Sequence, residues 1–228
     1  MNLKEGKKII DNFFFSENIN EEQRESSRIN LLKYAVNEAK LSGLFLEFGV
    51  WKGFSLNYLS DCRPDKIFYG FDSFYGLPEK WGSNYPKGFG YLENIPLVND
   101  NVRLVVGLFQ DTLDQFLREH KEPVSFLHLD ADLFSSTKYV LNKLADEGRI
   151  KEGTIIEFDE LFYQNDFNSV LNDEHRVYLD FIKKYDVKVR WLKFYQRNVT
   201  ERFLIFHRRF KKLTIRGCLI IERFKLKR

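Results

Sequence analysis

From residue 44 onward, short apolar runs alternate with amphipathic stretches, and the alternation predicts strands and helices in turn. "LFLEFGV" (44–50), "KIFYGFDSF" (66–74), "VRLVVGLF" (102–109), "VSFLHLDAD" (124–132) and "GTIIEFDE" (153–160) read as strands, rich in β-branched and aromatic residues. Between them "GFSLNYLSDC", "DTLDQFLREH" and "STKYVLNKLADEG" read as helices. Ser55 falls in the first turn of one, and Ser136 or Thr137 opens the last. Strands alternating with helices predict an α/β fold, a mostly parallel sheet covered on both faces. Upstream, residues 1–42 read as helical, with Ile29, Leu32, Ala35 and Ala39 near helical spacing and Gly43 as the stop. Downstream, "DEHRVYLDFIKKY" is an amphipathic helix. "VKVRWLKFY" and "ERFLIFHRRF", separated by "QRNV", predict a terminal antiparallel hairpin. The Gly/Pro-rich segment 75–97 is too long for a plain connection and predicts a lid or substrate loop. Its Trp81 and Tyr85 could stack on a sugar or anchor the loop to the core.

Composition narrows the class. The 228 residues include 43% apolar and 30% charged residues, the balance of one globular domain rather than a disordered chain. Aromatics reach 16%, with 23 Phe, so core and pocket alike should be rich in rings. No apolar run has the length of a membrane span, the N-terminus is too polar for a signal peptide, and Cys62 and Cys218 show no metal spacing. A cytoplasmic, reduced protein is the expectation. The net charge of +3 is uneven: Arg208–Arg228 holds nine Lys/Arg against Glu222 alone, so the preceding residues carry −5. The basic stretch reads as a solvated, charged terminal strand or C-terminal extension (208–228), or as a contact for an anionic partner. The expected plan is one domain: a helical cap (1–43), an α/β core (44–207) and that extension.

Two predicted strands end in carboxylates, Asp130 and Asp132 on one and Asp159 and Glu160 on the other. Open α/β folds place their ligand crevice at this edge. Neighbouring strands would let Asp130, Asp159 and Glu160 share one hard divalent cation, and an all-oxygen ligand set suits Mg²⁺ better than zinc. Asp132 reads as a cap for the helix that follows. "LDAD" also matches the D-x-D with which glycosyltransferases hold a nucleotide-sugar through Mn²⁺. The first strand ends in Glu47-Phe48-Gly49-Val50-Trp51-Lys52-Gly53, either a tight βα turn or a turn on which a ligand can settle; G-x-G-x-x-G is absent. Asp72 ends the second strand, where an acid could take both hydroxyls of a ribose. His120, His175 and His207 occur singly and read as surface residues. Glu174 faces either a pocket or solvent.

The motifs "LEFGVWKGFS", "YGFDSFYGLPEKW", "VGLFQDTLDQFL", "HLDADLFSSTKYVL" and "GTIIEFDE", in this order over roughly residues 44–163, resemble the macrocin O-methyltransferase family. The resemblance implies a Rossmann-like class I methyltransferase with a mostly parallel seven-stranded sheet and an antiparallel C-terminal hairpin. It implies S-adenosylmethionine and Mg²⁺ as cofactors and a hydroxyl of a sugar or glycosylated metabolite as acceptor. Glu47, Phe48, Gly49, Val50, Trp51 and Gly53 would then line the methionine part of the cofactor. Asp72, Ser73 and Phe74 would hold ribose and adenine, Phe109 and Gln110 would flank the adenine, and His128 would approach the cofactor. Leu108 stands where the family commonly has Trp. Asp130, Asp159 and Glu160 match the family's metal ligands, with Glu160 in place of an Asp. Asp130 is the expected proton acceptor and His128 the second choice. The partners implied are a small-molecule or glycan acceptor and a second copy of the chain in a homo-oligomer. Nucleic acid is disfavoured because no Asn-Pro-Pro-Tyr-type motif for a flipped base occurs. A methyltransferase-like binding module without catalysis is the reading from outside enzymology.

Overall fold

The computed structural model describes residues 3–82, 84–164, 170–171, 173–202 and 209–225. Five strands run parallel: β1 (Leu44–Phe48), β2 (Phe68–Asp72), β3 (Val102–Val106), β4 (Val124–Leu129) and β5 (Ile155–Gln164). Two long strands complete the sheet, β7 (Asp186–Arg202) and β8 (Arg209–Lys225), in the order β3-β2-β1-β4-β5-β8-β7. β8 is antiparallel to both neighbours, and the two-residue β6 (Val170–Leu171) pairs beside β5. This is the Rossmann-like, mostly parallel sheet with an antiparallel C-terminal hairpin that the sequence predicts.

Helices cover both faces because side chains alternate along each strand. Phe45, Phe126 and Ile155 face α2 (Arg28–Glu38) and α3 (Phe54–Cys62). Leu46, Leu127 and Ile156 face α1 (Leu3–Ser16), α4 (Phe109–Glu119), α5 (Phe134–Asp146) and α6 (Asp173–Lys184). Phe45, Phe48, Phe68, Phe71, Phe126 and Phe158 are all fully buried. Each buried ring contributes roughly 1.5–3 kcal/mol relative to exposure.

Three expectations need correction. The described residues from 3 to 42 form two α-helices with a 3-10 turn (Glu21–Gln23) between them rather than one helical stretch. Asn18 turns the chain with φ of 54°, Asn20 and Gln23 form a capping box, and Ser27 accepts from Asn30 N to start α2. The hairpin does not turn at "QRNV", since β7 runs through those residues to Arg202. The second predicted run, "ERFLIFHRRF", is split: Glu201 and Arg202 end β7, Arg209 and Phe210 begin β8, and 203–208, with His207, lie outside the described residues. Of the readings of 208–228, a terminal strand holds for 209–225, which form β8, but that strand is not a solvated edge: it lies between β5 and β7. Among the described residues no helix is long and apolar enough to cross a membrane.

Candidate active site

A cavity of about 580 Å³ opens at the C-terminal ends of β1, β2 and β4. There the chain order reverses between β1 and β4, and neighbouring connections leave in opposite directions. One end of the cavity is main chain and small residues. The β1–α3 turn contributes Gly49, Val50, Trp51 and Lys52, the end of β2 Asp72 and Ser73, and the β3–α4 turn Gly107–Gln110. Gly49 has φ of 97°, and a Cβ there would meet the Asp130 carbonyl oxygen at 1.9 Å, so only glycine lets β1 and β4 close this tightly. Asp72 braces the turn: one oxygen accepts from Val50 N (2.9 Å) and Trp51 N (2.8 Å), the other from Phe74 N (2.8 Å). A carboxylate already oriented by three N–H groups still faces the cavity.

The other end is acidic. Asp130, Asp132 and Glu160 line it, with Arg28 from the first turn of α2. Asp132 has φ of 59°, a left-handed conformation that costs a non-glycine residue about 1–3 kcal/mol. It is not the cap of α5; Leu133 stands at that position and offers no side-chain bond. Asp132 instead shares a hydrogen bond with Glu160. Burial raises the Asp132 carboxyl to about 6, and the Glu160 bond opposes the rise. Burial and then the Asp132 charge raise Glu160 well above the usual range. Glu160 therefore keeps the shared proton, and Asp132 is the oxygen acid that ionises near neutrality.

Behind this wall lies a row of buried charges on the α2/α3 face. Glu47, His128 and Glu157 are register neighbours across β1, β4 and β5, all fully buried. His128 Nδ1 lies 2.9 Å from Glu47 Oε2, its Nε2 3.0 Å from Glu157 Oε2, and Ser55 Oγ donates to Glu47 Oε1 at 3.0 Å. Burial opposes charge on His128, but Glu157 and Glu47 overcome it and hold the imidazole protonated. Asp159 continues the row: its Oδ1 accepts from Arg28 Nε at 2.5 Å and from Arg216 Nε on β8 at 2.9 Å. Despite its burial, these guanidiniums hold Asp159 well below the usual carboxylate range. Arg28 Nη2 also donates to Asp130 Oδ2 at 3.0 Å.

The expected metal ligands Asp130, Asp159 and Glu160 are thus not drawn onto one point. Three residues of β5, 159–161, stand opposite Arg216 alone on β8. This bulge turns Asp159 to the guanidiniums and Glu160 to the cavity. The described His/Cys/Asp/Glu atoms that do converge, within 4.8 Å, belong to His128, Glu157 and Asp159, and a protonated imidazole is no metal ligand.

Of the expected cofactor residues, Gly49, Val50, Trp51, Asp72, Ser73, Phe109 and Gln110 line the cavity. Glu47, Phe48, Gly53, Phe74 and His128 do not line it; Phe48 stacks on Phe71 at 4.4 Å and meets Phe109 edge-on. His128, fully buried and protonated, is not placed to take a proton from an acceptor in the cavity. Glu174 faces neither cavity nor solvent: it is buried and accepts from Glu160 N at 2.9 Å. His175 is buried too, packed against the Phe13 and Phe162 rings, and burial pushes it down to about 4. Trp81 and Tyr85 stack on each other against Tyr163, whose hydroxyl meets that of Tyr85 at 2.8 Å. They are loop anchors that also line the cavity. Arg28, Arg216, Glu157 and Ser55 are site residues the sequence reading missed; only Glu157, in the same "GTIIEFDE" run as Asp159, carried a signal.

The fold is a Rossmann-like α/β sheet with a cavity at the point where its strand order reverses. Residues 46–161 match the family described as "Methyltransferase domain", and the chain belongs to that family. No curated protein matches at a significant level. Similar solved structures include an O-methyltransferase from Bacillus cereus in complex with SAH (12% identity, 93% of this chain and 89% of that one, TM-score 0.48). The methyltransferase PaMTH1 of Podospora anserina, bound to SAH, is 15% identical over 88% of this chain and 80% of its own (TM-score 0.48). The O-methyltransferase TomG of Streptomyces achromogenes, in complex with SAM, is 14% identical over 85% and 78% (TM-score 0.47).

Proposed function

We propose that the chain is a single-domain, S-adenosylmethionine-dependent O-methyltransferase acting on a hydroxyl of a sugar or glycosylated metabolite. The observation that carries this reading is the two-ended cavity, with turn glycines and Asp72 at one end and the Asp132–Glu160 pair at the other. The residues present suit the cofactor. Asp72 and Ser73 would take the ribose, the Gly49–Lys52 turn the methionine part, and Phe109 and Gln110 the adenine. S-adenosylmethionine supplies an electrophilic methyl group on a sulfonium.

The residues do not suit Mg²⁺ between Asp130 and Asp159, because guanidinium nitrogens already sit against both carboxylates. Proton removal then falls to a side chain. Asp130 is held by Arg28, whereas Asp132 faces the cavity and ionises near neutral pH. Asp132 would take the acceptor's proton and so leave its oxygen free to receive the methyl group that the bound cofactor would supply. Trp81, Tyr85 and Phe89 offer ring faces to the apolar side of a sugar, and the carboxylates accept from its hydroxyls.

The test is transfer of labelled methyl to a panel of glycosides, with calorimetry of S-adenosylhomocysteine beside it. Saturable binding and labelled ether product support the reading. Absence of S-adenosylhomocysteine binding overturns it.

A further inference from the structure

We propose that Arg28 is the built-in cation of this site, a guanidinium holding the position between Asp130 and Asp159 that a divalent ion would otherwise fill. The inference rests on the methyltransferase reading and concerns the acidic end of the same cavity.

Both carboxylates are spoken for by one side chain. Arg28 Nε lies 2.5 Å from Asp159 Oδ1 and Nη2 lies 3.0 Å from Asp130 Oδ2. Mg²⁺ demands oxygen ligands at about 2.0–2.1 Å in octahedral array. An ion bridging these same oxygens would overlap the guanidinium or have to expel it. Expulsion is opposed from two sides. Ser27 caps α2 and fixes the backbone from which Arg28 reaches. Arg216, 89% shielded at its side chain, donates to the same Asp159 oxygen at 2.9 Å, so a metal ion there would also stand against a second buried cation. The third would-be ligand, Glu160, is turned to Asp132 instead.

A planar guanidinium does part of what an ion would do. It fixes two carboxylates in place and keeps a positive charge on the cavity wall, since Arg stays charged at any working pH. Arg28 lines the cavity, and its remaining N–H groups are donors for the acceptor's oxygens. Arg28 is thus a binding and positioning residue for the acceptor, with no exchange of ions during turnover.

Mn²⁺ serves as the probe, titrated into wild-type protein, Arg28→Ala and Arg28→Lys and followed by paramagnetic resonance. The effect of Mg²⁺ on each melting temperature is measured in parallel. Wild type and Arg28→Lys are expected to leave Mn²⁺ free and to melt unchanged in Mg²⁺. Arg28→Ala, with two carboxylates unpaired, is expected to gain Mn²⁺ affinity by about tenfold or more and to be stabilised by Mg²⁺. A single tight Mn²⁺ site in the wild type that Asp159→Asn removes overturns the proposal, and this arm needs no folded Arg28 variant. Calorimetry of S-adenosylhomocysteine on the wild type keeps the two readings apart. Its failure overturns the methyltransferase reading alone, and the Mn²⁺ titration still decides the role of Arg28.

Discussion

The two ends of the cavity are made of opposite materials. The end proposed for the cofactor is backbone: tight turns, N–H groups pointed at Asp72, and a glycine that lets β1 touch β4. The acidic end is a lattice of side-chain charges drawn from α2, β4, β5 and β8. A backbone-built site is specified locally, by a turn and its glycines. A charge lattice is specified globally, because each member is tolerable only when elements far apart in the chain deliver its partner.

The sharpest way to separate the ends is Asp132→Asn. It removes the proposed proton acceptor, and kcat should fall by about 10²–10⁴ while affinity for S-adenosylhomocysteine stays unchanged. The wild-type rate should rise with pH through about 6, where Asp132 loses its proton, and flatten above. The variant should lose that limb. An equal loss of cofactor affinity would mean that the two ends are not separate.

His128→Leu tests whether the lattice holds the fold. It leaves Glu47 and Glu157 buried without their shared cation, at a cost of about 3–5 kcal/mol read by denaturant unfolding. The folded imidazole binds its proton more tightly than the unfolded one. Its contribution is therefore complete below about pH 6.5 and lost as pH rises through the folded value. The gap between wild type and variant should narrow in alkaline buffer.

Asp72→Asn breaks the other end. The turn keeps an oxygen acceptor but loses the charge that orders it, and S-adenosylhomocysteine should bind about tenfold more weakly, near 1.5 kcal/mol. The smallest effect expected is that of Tyr85→Phe. Losing the bond to the Tyr163 hydroxyl should cost about 1 kcal/mol and raise the acceptor KM without touching cofactor affinity.

The same contrast explains what could be read from the chain. The parallel strands were legible because buried strands are short apolar runs, and Gly49, Asp72 and Asp130 were legible because they punctuate strand ends; Asp132, read as a helix cap, was not. Arg28 was not: it stands 102 residues from Asp130 and 131 from Asp159, and nothing near it distinguishes it from a surface arginine. Arg216 was hidden in a stretch counted as a basic tail. Its neighbours Ile215, Cys218 and Leu219 are buried, an apolar pattern that suits an inner strand better than a tail. Asp159 and Glu160 were expected to act together because they are adjacent. A bulge, which leaves no mark in the sequence, sends them to different partners. The break between α1 and α2 did leave marks, in Asn20, Gln23 and Ser27.

The place of β8 has a consequence for how the protein comes to exist in the cell. A ribosome delivers β5 long before β8, yet β8 must enter the sheet between β5 and β7. Until it arrives, β5 has an open edge and Asp159 has one guanidinium instead of two. The half of the sheet made of β1 to β4 can assemble during synthesis, whereas the acidic half must wait for β8. A nascent chain stalled before residue 209 would therefore be expected to recruit chaperones through the bare edge of β5, and to hold the β1–α3 turn without yet having the charge lattice.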